Sequence, residues 1–558
     1  MKSRGKSVAL ALLIVLVMCS SFFLICTIFS NQAPGQPRVT EKPIASHSHR
    51  SGMVASAHPL ASRVGIEILK RGGNAVDAAV ATAFALGVVE PFASGIGGGG
   101  FMLIYPGKNK EVITIDYRER APLAARAGMY PSSGGQWTGD RMKEGLLAVA
   151  VPGTVAGLTL ALSRYGTMDL KTVMAPSIEI AEKGYKVSKL LNSMMATNSQ
   201  KLLKFPVSAR IYLKNGRPYR VGDSLSLKDL AGVYRLIMEN GPDVFYKGAL
   251  AERIEKQMKS GGGLITKEDL AAYQPVLRPP VRGNHQGYDI FSMGPPSSGG
   301  TCIIELLNIL GSHDIAGLGF DSPESISLMA EAMKEVFSDR AKFMGDPDFT
   351  KVPLDTLLSR EHARSLSSHL SNQTSHLSVA DSEENMVALT QTINSFFGSG
   401  VVVPGTGILL NDEMNDFDPG ENGPNSIKPG KRPLSSMSPT LVLKDGRPYL
   451  TIGTPGATRI ITALTQVLMN LIDHKMTIQK AIDAPRIHCE GDKEIFMESR
   501  IPKKVRDVLT HRGYRLIIKE DFDLYFGGVQ AVRIDPKTGT LQGAADPRRE
   551  GSAIGFSD

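Results

Sequence analysis

Two short segments of alternating polar and apolar residues lie two-thirds of the way along the chain. The alternation across residues 375–380 is typical of a half-buried β-strand. A polar patch at 381–385 predicts a turn, and residues 386–393 predict the returning strand. In a hairpin centred on that turn, Thr374 and Thr392 stand directly opposite each other. The pattern therefore predicts that two threonine hydroxyls meet where the hairpin begins.

Helical patterns surround this hairpin in the rest of the chain. Residues 60–70 and 74–86 are rich in small apolar residues, and Gly72-Gly73 separates them as a helix end requires. The second segment predicts a buried helix. From 158 to about 360 the chain is typical of amphipathic helices with short strands between them.

A glycine-rich run at 95–100 formally matches the spacing G-x-G-x-x-G, and Asp116 follows about 20 residues later. A dinucleotide-binding fingerprint follows a strand and opens a helix. Here a helix and Pro91 precede the glycines and a strand follows them, so the order is inverted. The run instead predicts a close approach between backbones.

The N-terminus carries basic residues followed by an apolar run at 8–29. As a helix this run is about 33 Å long, enough for a hydrocarbon core of about 30 Å. We therefore expect residues 1–30 to form one transmembrane helix that anchors the protein, with the basic end inside and the rest outside. The alternative is a long signal peptide whose cleavage gives a secreted protein. Residues 31–50 are rich in proline and polar groups and predict a linker.

Composition narrows the function classes. The chain has 558 residues, a net charge of +8, one Trp and no long basic run, so we expect no nucleic-acid surface. It contains no G-x-S-x-G, H-E-x-x-H or C-x-x-C motif, and we expect no metal and no cofactor. Only Cys302 and Cys489 lie beyond the apolar run, too few for a disulfide framework.

Thr374 offers a specific chemistry if the bond before it is cut. The residue then carries both a hydroxyl nucleophile and a free α-amine. An α-amine has a pKa of about 7.7–8, so it can act as a base near neutral pH. Thr392 could hold the nucleophile by a hydrogen bond. The alternative is that both are ordinary strand threonines.

Other polar clusters suggest parts of a binding site. Arg118 ends a predicted strand, where an anion-binding arginine could lie, and Glu413 and Asp416 are spaced to converge on one cation. Ser435 and Ser436 offer two adjacent hydroxyls. Residues 451–459 predict a strand–turn–helix junction whose exposed N–H groups suit an oxyanion. Taken singly, each cluster favours a solvated or structural role.

Together these segments resemble the γ-glutamyltranspeptidase family from Met53 to the C-terminus. The pieces that carry the resemblance are 94–99, 116–119, 151–154, 373–376, 432–439 and 453–456. The resemblance implies an α+β N-terminal-nucleophile hydrolase fold, a four-layer αββα sandwich built from two subunits. The precursor would cut itself between Gln373 and Thr374 into a large subunit, 51–373, and a small catalytic subunit, 374–558. These two subunits would form a heterodimer.

The resemblance also assigns the reacting groups. Thr374 would take the γ-glutamyl group as an acyl-enzyme, with Thr392 supporting the nucleophile. Gly456 and Ala457 match the pair of residues that binds the oxyanion. The family usually has two glycines there, and alanine keeps the N–H but restricts the backbone.

The same resemblance assigns the substrate-binding residues. Arg118 would grip the substrate α-carboxylate, aided by Ser435 and Ser436. The α-ammonium would be held by Asn394, Glu413 and Asp416. A zwitterionic head group needs a fixed cation and fixed carboxylates, which this set supplies.

These matches predict a γ-glutamyltransferase and glutathione hydrolase that transfers the γ-glutamyl group to water, amino acids or peptides. The alternative is a poly-γ-glutamate depolymerase or transpeptidase of the capsule branch. The short connection 418–431 predicts that no lid covers the site, and 396–398 and 525–530 are similar to that branch. A further alternative is an inactive relative that serves as a surface-anchored binding protein.

Overall fold

The structure is a computed structural model that describes residues 47–130, 132–133, 136–137, 140–359, 374–491 and 493–557. The predicted anchor at 1–30, most of the predicted linker and Gln373 lie outside the described residues. Within the described ranges, no helix has the length and apolar character that crossing a membrane requires. The end of the predicted linker is ordered, because His47–His49 forms an edge strand.

Two seven-stranded sheets form the centre of the fold, and all neighbouring strands within them are antiparallel. Sheet I has the spatial order Val276–Arg278, Ile113–Tyr117, Gly99–Tyr105, Met386–Thr392, Ser375–Asp381, Gly52–Ser56 and Ser552–Phe556. Sheet II has the order His47–His49, Leu541–Ala545, Gln530–Ile534, Arg447–Gly453, Thr440–Lys444, Tyr288–Ser292 and Val281–His285.

Smaller strands lie outside these sheets. A three-stranded sheet contains Ile487–His488, Glu494–Glu498 and Arg515–Lys519. Three two-stranded pairs join Tyr185–Lys186 with Ser224–Leu225, Leu213–Lys214 with Arg217–Pro218, and Ser132–Ser133 with Gln136–Trp137.

Helices account for most of the remaining described structure. The α-helices are Pro59–Lys70, Ala75–Val89, Asp140–Lys143, Thr154–Tyr165, Leu170–Lys183, Lys189–Thr197, Ser199–Leu203, Pro206–Tyr212, Lys228–Asn240, Asp243–Tyr246, Ala249–Gly261, Lys267–Ala271, Gly299–Leu310, Ile315–Leu318, Pro323–Phe343, Leu354–Leu357, Arg459–Ile472, Ile478–Asp483 and Lys503–His511. Short 3₁₀ turns occur at Leu146–Ala148, Glu413–Asp416 and Leu524–Phe526.

The two faces of sheet I bury different partners, as the period of two along a strand requires. Leu377 and Val379 point into a core shared with the helix Ala75–Val89. Ala380 and its neighbours on the opposite face share a second core with sheet II. Helices including Gly299–Leu310 cover the outer face of sheet II. The predicted four-layer αββα arrangement is therefore confirmed.

The helix Ala75–Val89 confirms the prediction of a buried small-residue helix. All of its 15 residues are buried. Its start is fixed by a capping box, in which Asn74 accepts from the Asp77 N–H and the Asp77 carboxylate accepts from the Asn74 N–H. Since the helix is apolar on every side, tertiary burial rather than an amphipathic face explains its position.

The predicted hairpin is confirmed, including its register. Ser375–Asp381 pairs with Met386–Thr392, from Ser375 opposite Gln391 to Ala380 opposite Met386. One step beyond the last pair, Thr374 stands opposite Thr392. Both strands lie in the middle of sheet I, so the start of the hairpin is held by strands on either side.

Candidate active site

The glycine run fixes the strand that ends at Thr392. A Cβ on Gly98 would lie 1.9 Å from the Thr392 carbonyl oxygen, and one on Gly97 would lie 2.1 Å from that of Leu409. The Gly98 carbonyl also accepts a hydrogen bond of 2.8 Å from the Gly153 N–H. Only glycine fits such contacts, so the predicted close backbone approach is confirmed.

A cavity of about 730 Å³ opens where the hairpin begins. Its lining includes most of the residues selected from the sequence, namely Thr374, Thr392, Arg118, Asn394, Glu413, Asp416, Ser435, Ser436 and Ala457. Gly456 precedes Ala457 but does not itself line the cavity. Segments separated by hundreds of residues therefore converge on one site.

The two threonines are buried at the base of this cavity. Thr374 is 3% exposed and Thr392 is 2% exposed. The Asn394 N–H donates to Thr392 Oγ1 at 2.8 Å, which fixes the Thr392 hydroxyl. Ser375, which follows Thr374, donates from its hydroxyl to Glu90 Oε2 at 2.8 Å. These contacts hold the start of the first strand and its partner in place.

His376 is the nearest histidine in sequence to Thr374, and its environment decides whether it can act as a base. Its Nδ1 lies 2.8 Å from Thr390 Oγ1, and its Nε2 lies 3.1 Å from Ser378 Oγ. Burial lowers the pKa of His376 to about 3. The ring is therefore a weak base, and both of its nitrogens contact other hydroxyls, so it is not available as the base for Thr374.

Arg118 lies at the centre of a buried charge cluster. Its guanidinium contacts Glu413 Oε1, lies 2.5 Å from Asp416 Oδ2 and lies 3.5 Å from Glu119 Oε2. It also donates to the Pro433 carbonyl at 3.2 Å. We refer to Arg118, Glu119, Glu413 and Asp416 as the Arg118 cluster. Glu413 and Asp416 were predicted to converge on one cation, and here that cation is Arg118.

The cluster has more carboxyl groups than cations. Burial raises the pKa of Glu119 to about 7, although Arg118 opposes this. Burial also raises the pKa of Glu413 well above its usual range. For Arg118, burial would lower the pKa, but the carboxylates of Glu413 and Asp416 raise it. The cluster therefore has a surplus of potential negative charge.

Three buried acceptors of the Arg118 cluster and the cavity wall lack a hydrogen-bond partner among the described residues. They are Asn394 Oδ1, Glu413 Oε2 and Glu119 Oε1. A buried acceptor without a partner costs about 1–3 kcal/mol, and more when it is charged. Asn394 and Glu413 line the cavity, where a ligand that brings a cationic group with several N–H donors would satisfy Asn394 Oδ1 and Glu413 Oε2.

The two serines on the cavity wall are held as hydrogen-bond acceptors. Ser435 Oγ accepts from the Met437 N–H at 3.1 Å, and Ser436 Oγ accepts from Arg340 Nη2 at 3.1 Å. Ser298 donates from its hydroxyl to the Ser435 carbonyl at 2.7 Å. Sequence reasoning missed Arg340 and Ser298. Arg340 is one arginine in a 21-residue helix, Pro323–Phe343, and no local pattern distinguishes it.

A strained turn borders the cavity at Gly456 and Ala457. Gly456 has φ +137°, and Ala457 has φ +62°, in the left-handed region. The turn leads directly into the helix Arg459–Ile472, whose first bonds are Arg459 N–H to Gly456 O and Ile460 N–H to Ala457 O. A left-handed conformation costs a residue with a Cβ about 1–2 kcal/mol. Such strain at a cavity wall is typical of a functional site.

The described residues contain no group of side chains arranged for metal binding and no reactive thiol. No three His, Cys, Asp or Glu side chains in those ranges are arranged to hold a metal ion. Cys302 and Cys489 are both buried and unpaired. Burial raises the pKa of both thiols, which favours their unreactive protonated form.

Comparisons with known proteins agree with this geometry. Residues 61–556 match the family model described as gamma-glutamyltranspeptidase. The chain is 42% identical to a glutathione hydrolase proenzyme of Escherichia coli (strain K12), over 89% of this chain and 90% of that protein. It is 41% identical to the acylase ACY 1 proenzyme of Pseudomonas sp. (strain SE83), over 93% of this chain and 97% of that protein.

A solved structure extends the comparison to three dimensions. The crystal structure of cephalosporin acylase from Bacillus halodurans matches with a TM-score of 0.85 and 30% sequence identity. The match covers 94% of this chain and 99% of that chain. The similarity therefore spans nearly the whole protein.

Proposed function

The chain belongs to the γ-glutamyltranspeptidase family, and we propose that Thr374 is the nucleophile with which it acts as a self-processing γ-glutamyltransferase and glutathione hydrolase. The observation that carries the proposal is the surplus of buried acceptors around Arg118. These acceptors suit the ammonium group of a γ-glutamyl head.

The proposed precursor cuts itself between Gln373 and Thr374. Sheet I supports a stable product after this cut, because the strand Ser375–Asp381 lies between Gly52–Ser56 and Met386–Thr392. Strands from both sides of the cleavage site are therefore hydrogen-bonded to each other. We expect subunits 51–373 and 374–558 to remain associated as a heterodimer.

In turnover, the free α-amine of Thr374 takes the proton from its own hydroxyl, since His376, with a pKa of about 3, is a much weaker base and both of its nitrogens are already bonded. Thr374 Oγ attacks the γ-carbonyl carbon of the donor, and the N–H groups of Gly456 and Ala457 stabilise the oxyanion. The C–N bond of the donor breaks, the proton passes to the leaving amine, and a γ-glutamyl ester remains. Water or an acceptor amine then attacks the ester and releases Thr374.

The donor head group is proposed to rearrange the Arg118 cluster. Its α-carboxylate accepts from Arg118, Ser435 and Ser436 in place of the protein carboxylates. Glu413 and Asp416 then accept from the α-ammonium, together with Asn394 Oδ1. The head adds one positive and one negative charge, so the charge balance of the cluster is unchanged, which favours a zwitterionic head over a single anion.

The experiment compares γ-glutamyl-p-nitroanilide with glutaryl-p-nitroanilide, which lacks only the α-ammonium group. This pair matters because relatives of the chain include an acylase as well as glutathione hydrolases. We expect kcat/KM to favour the γ-glutamyl compound by about 100-fold or more, because the glutaryl group leaves buried carboxylates without a donor. Equal kcat/KM values for the two donors would contradict the proposal.

Poly-γ-glutamate is a second candidate donor, favoured by the short connection 418–431 at the cavity rim. This segment folds back on itself, with a bridge between Asp418 and Ser426 and a hydrogen bond of 2.9 Å from Lys431 Nζ to the Ser426 carbonyl. Asp418 and Pro419 line the cavity. Because this connection is short, it leaves room for a polymer that extends beyond the cavity.

The Arg118 cluster also predicts how such a polymer would be cut. An internal unit of poly-γ-glutamate has a free α-carboxylate, but its α-nitrogen lies in an amide and carries no positive charge. We therefore expect attack at the amino-terminal unit, with release of single glutamates. The ectodomain from about residue 51 would be given glutathione or the polymer, and free glutamate and polymer length followed. Rapid internal shortening of the polymer would instead favour the capsule-type activity.

We further propose that residues 1–30 anchor the enzyme in the membrane with the catalytic part outside. The supporting observation is the basic segment followed by the 8–29 apolar run. Cell fractionation with N-terminal sequencing of the mature large subunit tests this. A large subunit that begins near residue 31 in the soluble fraction would favour secretion after signal cleavage.

A further inference from the structure

Arg340 connects two segments of the cavity wall through serine hydroxyls. Its Nε donates to Ser298 Oγ at 2.8 Å, and its Nη2 donates to Ser436 Oγ at 3.1 Å. Arg340 lines the cavity and is half-buried. Its guanidinium is planar, so it can hold both hydroxyls in one fixed geometry.

Ser298 passes this constraint to Ser435. Its N–H and its hydroxyl both donate to the Ser435 carbonyl, at 2.9 Å and 2.7 Å. The neighbouring Ser297 donates to the Met437 carbonyl at 2.7 Å. Hydrogen bonds from residues that precede the proposed cleavage site therefore hold the loop that carries Ser435 and Ser436.

The direction of these bonds determines what the two serines can do. A serine hydroxyl has one proton to donate and two lone pairs that accept. Ser436 Oγ accepts from Arg340 and Ser435 Oγ accepts from the Met437 N–H, and neither hydroxyl has a protein acceptor among the described residues. Each proton is therefore left to be donated to a ligand in the cavity.

We propose that Arg340 is a positioning residue that commits the Ser436 hydroxyl to donate to the α-carboxylate of the donor substrate. Arg340 acts through Ser436 rather than by reaching the reacting carbonyl. This inference rests on the proposed function, since it concerns the head group of a γ-glutamyl donor. Arg340 is accordingly a specificity determinant for donors with a free α-carboxylate.

The test separates donor binding from chemistry. In Arg340→Gln we expect KM for γ-glutamyl-p-nitroanilide to rise about tenfold, the value of one charge-assisted hydrogen bond, while kcat stays within about twofold. Arg340→Lys keeps one cationic donor and should give an intermediate KM, and it also provides the test if Arg340→Gln fails to fold. Arg512→Gln is the matched control, because Arg512 bonds to the start of the same helix at an exposed site.

A double-mutant cycle tests whether Arg340 acts through Ser436. If it does, the rise in KM of the double variant Arg340→Gln with Ser436→Ala should be clearly smaller than the product of the two single rises. The part that remains passes through Ser298 to Ser435. With a donor whose α-carboxylate is amidated, wild type and Arg340→Gln should have the same KM. An unchanged KM in Arg340→Gln, or additive effects in the cycle, would overturn the inference. A wild-type enzyme that turns over no γ-glutamyl donor would instead refute the proposed function itself.

Discussion

Replacing Arg118 with leucine tests the charge balance of the cavity. Arg118 is 1% exposed and is the cation for Glu413, Asp416 and Glu119. Leucine removes this charge and leaves the carboxyl groups buried. We expect both stability and donor binding to fall.

The expected loss in the free energy of unfolding follows from the burial of these ion pairs. Removing one partner of a buried ion pair costs about 3–5 kcal/mol. For a folded unit of roughly 500 residues the unfolding entropy is about 1 kcal/mol per kelvin, so the midpoint of thermal unfolding should fall by about 3–5 °C.

The loss of stability in Arg118→Leu should be larger at high pH than at low pH. Burial raises the pKa of Glu119 to about 7 and raises that of Glu413 well above its usual range. A carboxyl group whose folded pKa is raised contributes stability below its unfolded pKa and loses it as pH rises through the folded pKa. Protonation at pH 5 therefore relieves part of the cost of losing Arg118, and the cost should be larger at pH 8.

The assay is thermal unfolding of wild type and Arg118→Leu by circular dichroism at pH 5 and pH 8, with KM for a γ-glutamyl donor measured in parallel. Adding Glu413→Gln should recover part of the lost stability at pH 8, because it removes one uncompensated carboxylate. Arg512→Leu, at an exposed pair, is the control for the substitution type. An Arg118→Leu variant with an unchanged midpoint at pH 8, or with an equal loss at both pH values, would refute this reasoning.

Two further predictions concern the backbone of the site. Gly98→Ala should abolish activity or folding, because its Cβ would lie 1.9 Å from the Thr392 carbonyl oxygen. Gly95→Ala is the control, because a Cβ there meets nothing within 4 Å, and it should retain activity in the same assay with a γ-glutamyl donor. Ala457→Gly should relieve the strain of the left-handed alanine and raise the free energy of unfolding, measured by chemical denaturation, by up to about 1 kcal/mol. The kcat should stay within about twofold. A clear loss of stability would contradict the strain at Ala457.

Local patterns were enough to predict the elements around the nucleophile. The hairpin register follows from strand alternation and a turn, and the observed pair of Ser375 with Gln391 has the register that was predicted. The predicted order at the glycine run, a helix before it and a strand after it, is also the order that the structure shows. These features depend on residues that are close in sequence.

Contacts between distant segments could not be predicted in the same way. Arg118 and Glu413 are 295 residues apart, and their direct pairing results from the way the sheets and loops pack. Arg340 and Ser298 lie on unremarkable helical and loop segments, and only packing brings them to the cavity wall. The left-handed conformation of Ala457 was also unexpected, because alanine rarely adopts it.

The most direct test of the central claim is the fate of the Thr374→Ala variant. Wild type should separate on a denaturing gel into two chains, with Thr374 as the first residue of the smaller one, and should hydrolyse a γ-glutamyl donor. Thr374→Ala should remain a single uncut chain without activity, because alanine has no hydroxyl to attack either carbonyl. Thr374→Ser, which keeps the hydroxyl, should still be cut and active. A Thr374→Ala chain that splits at the same bond, or that retains activity, would contradict the assignment of Thr374 as nucleophile.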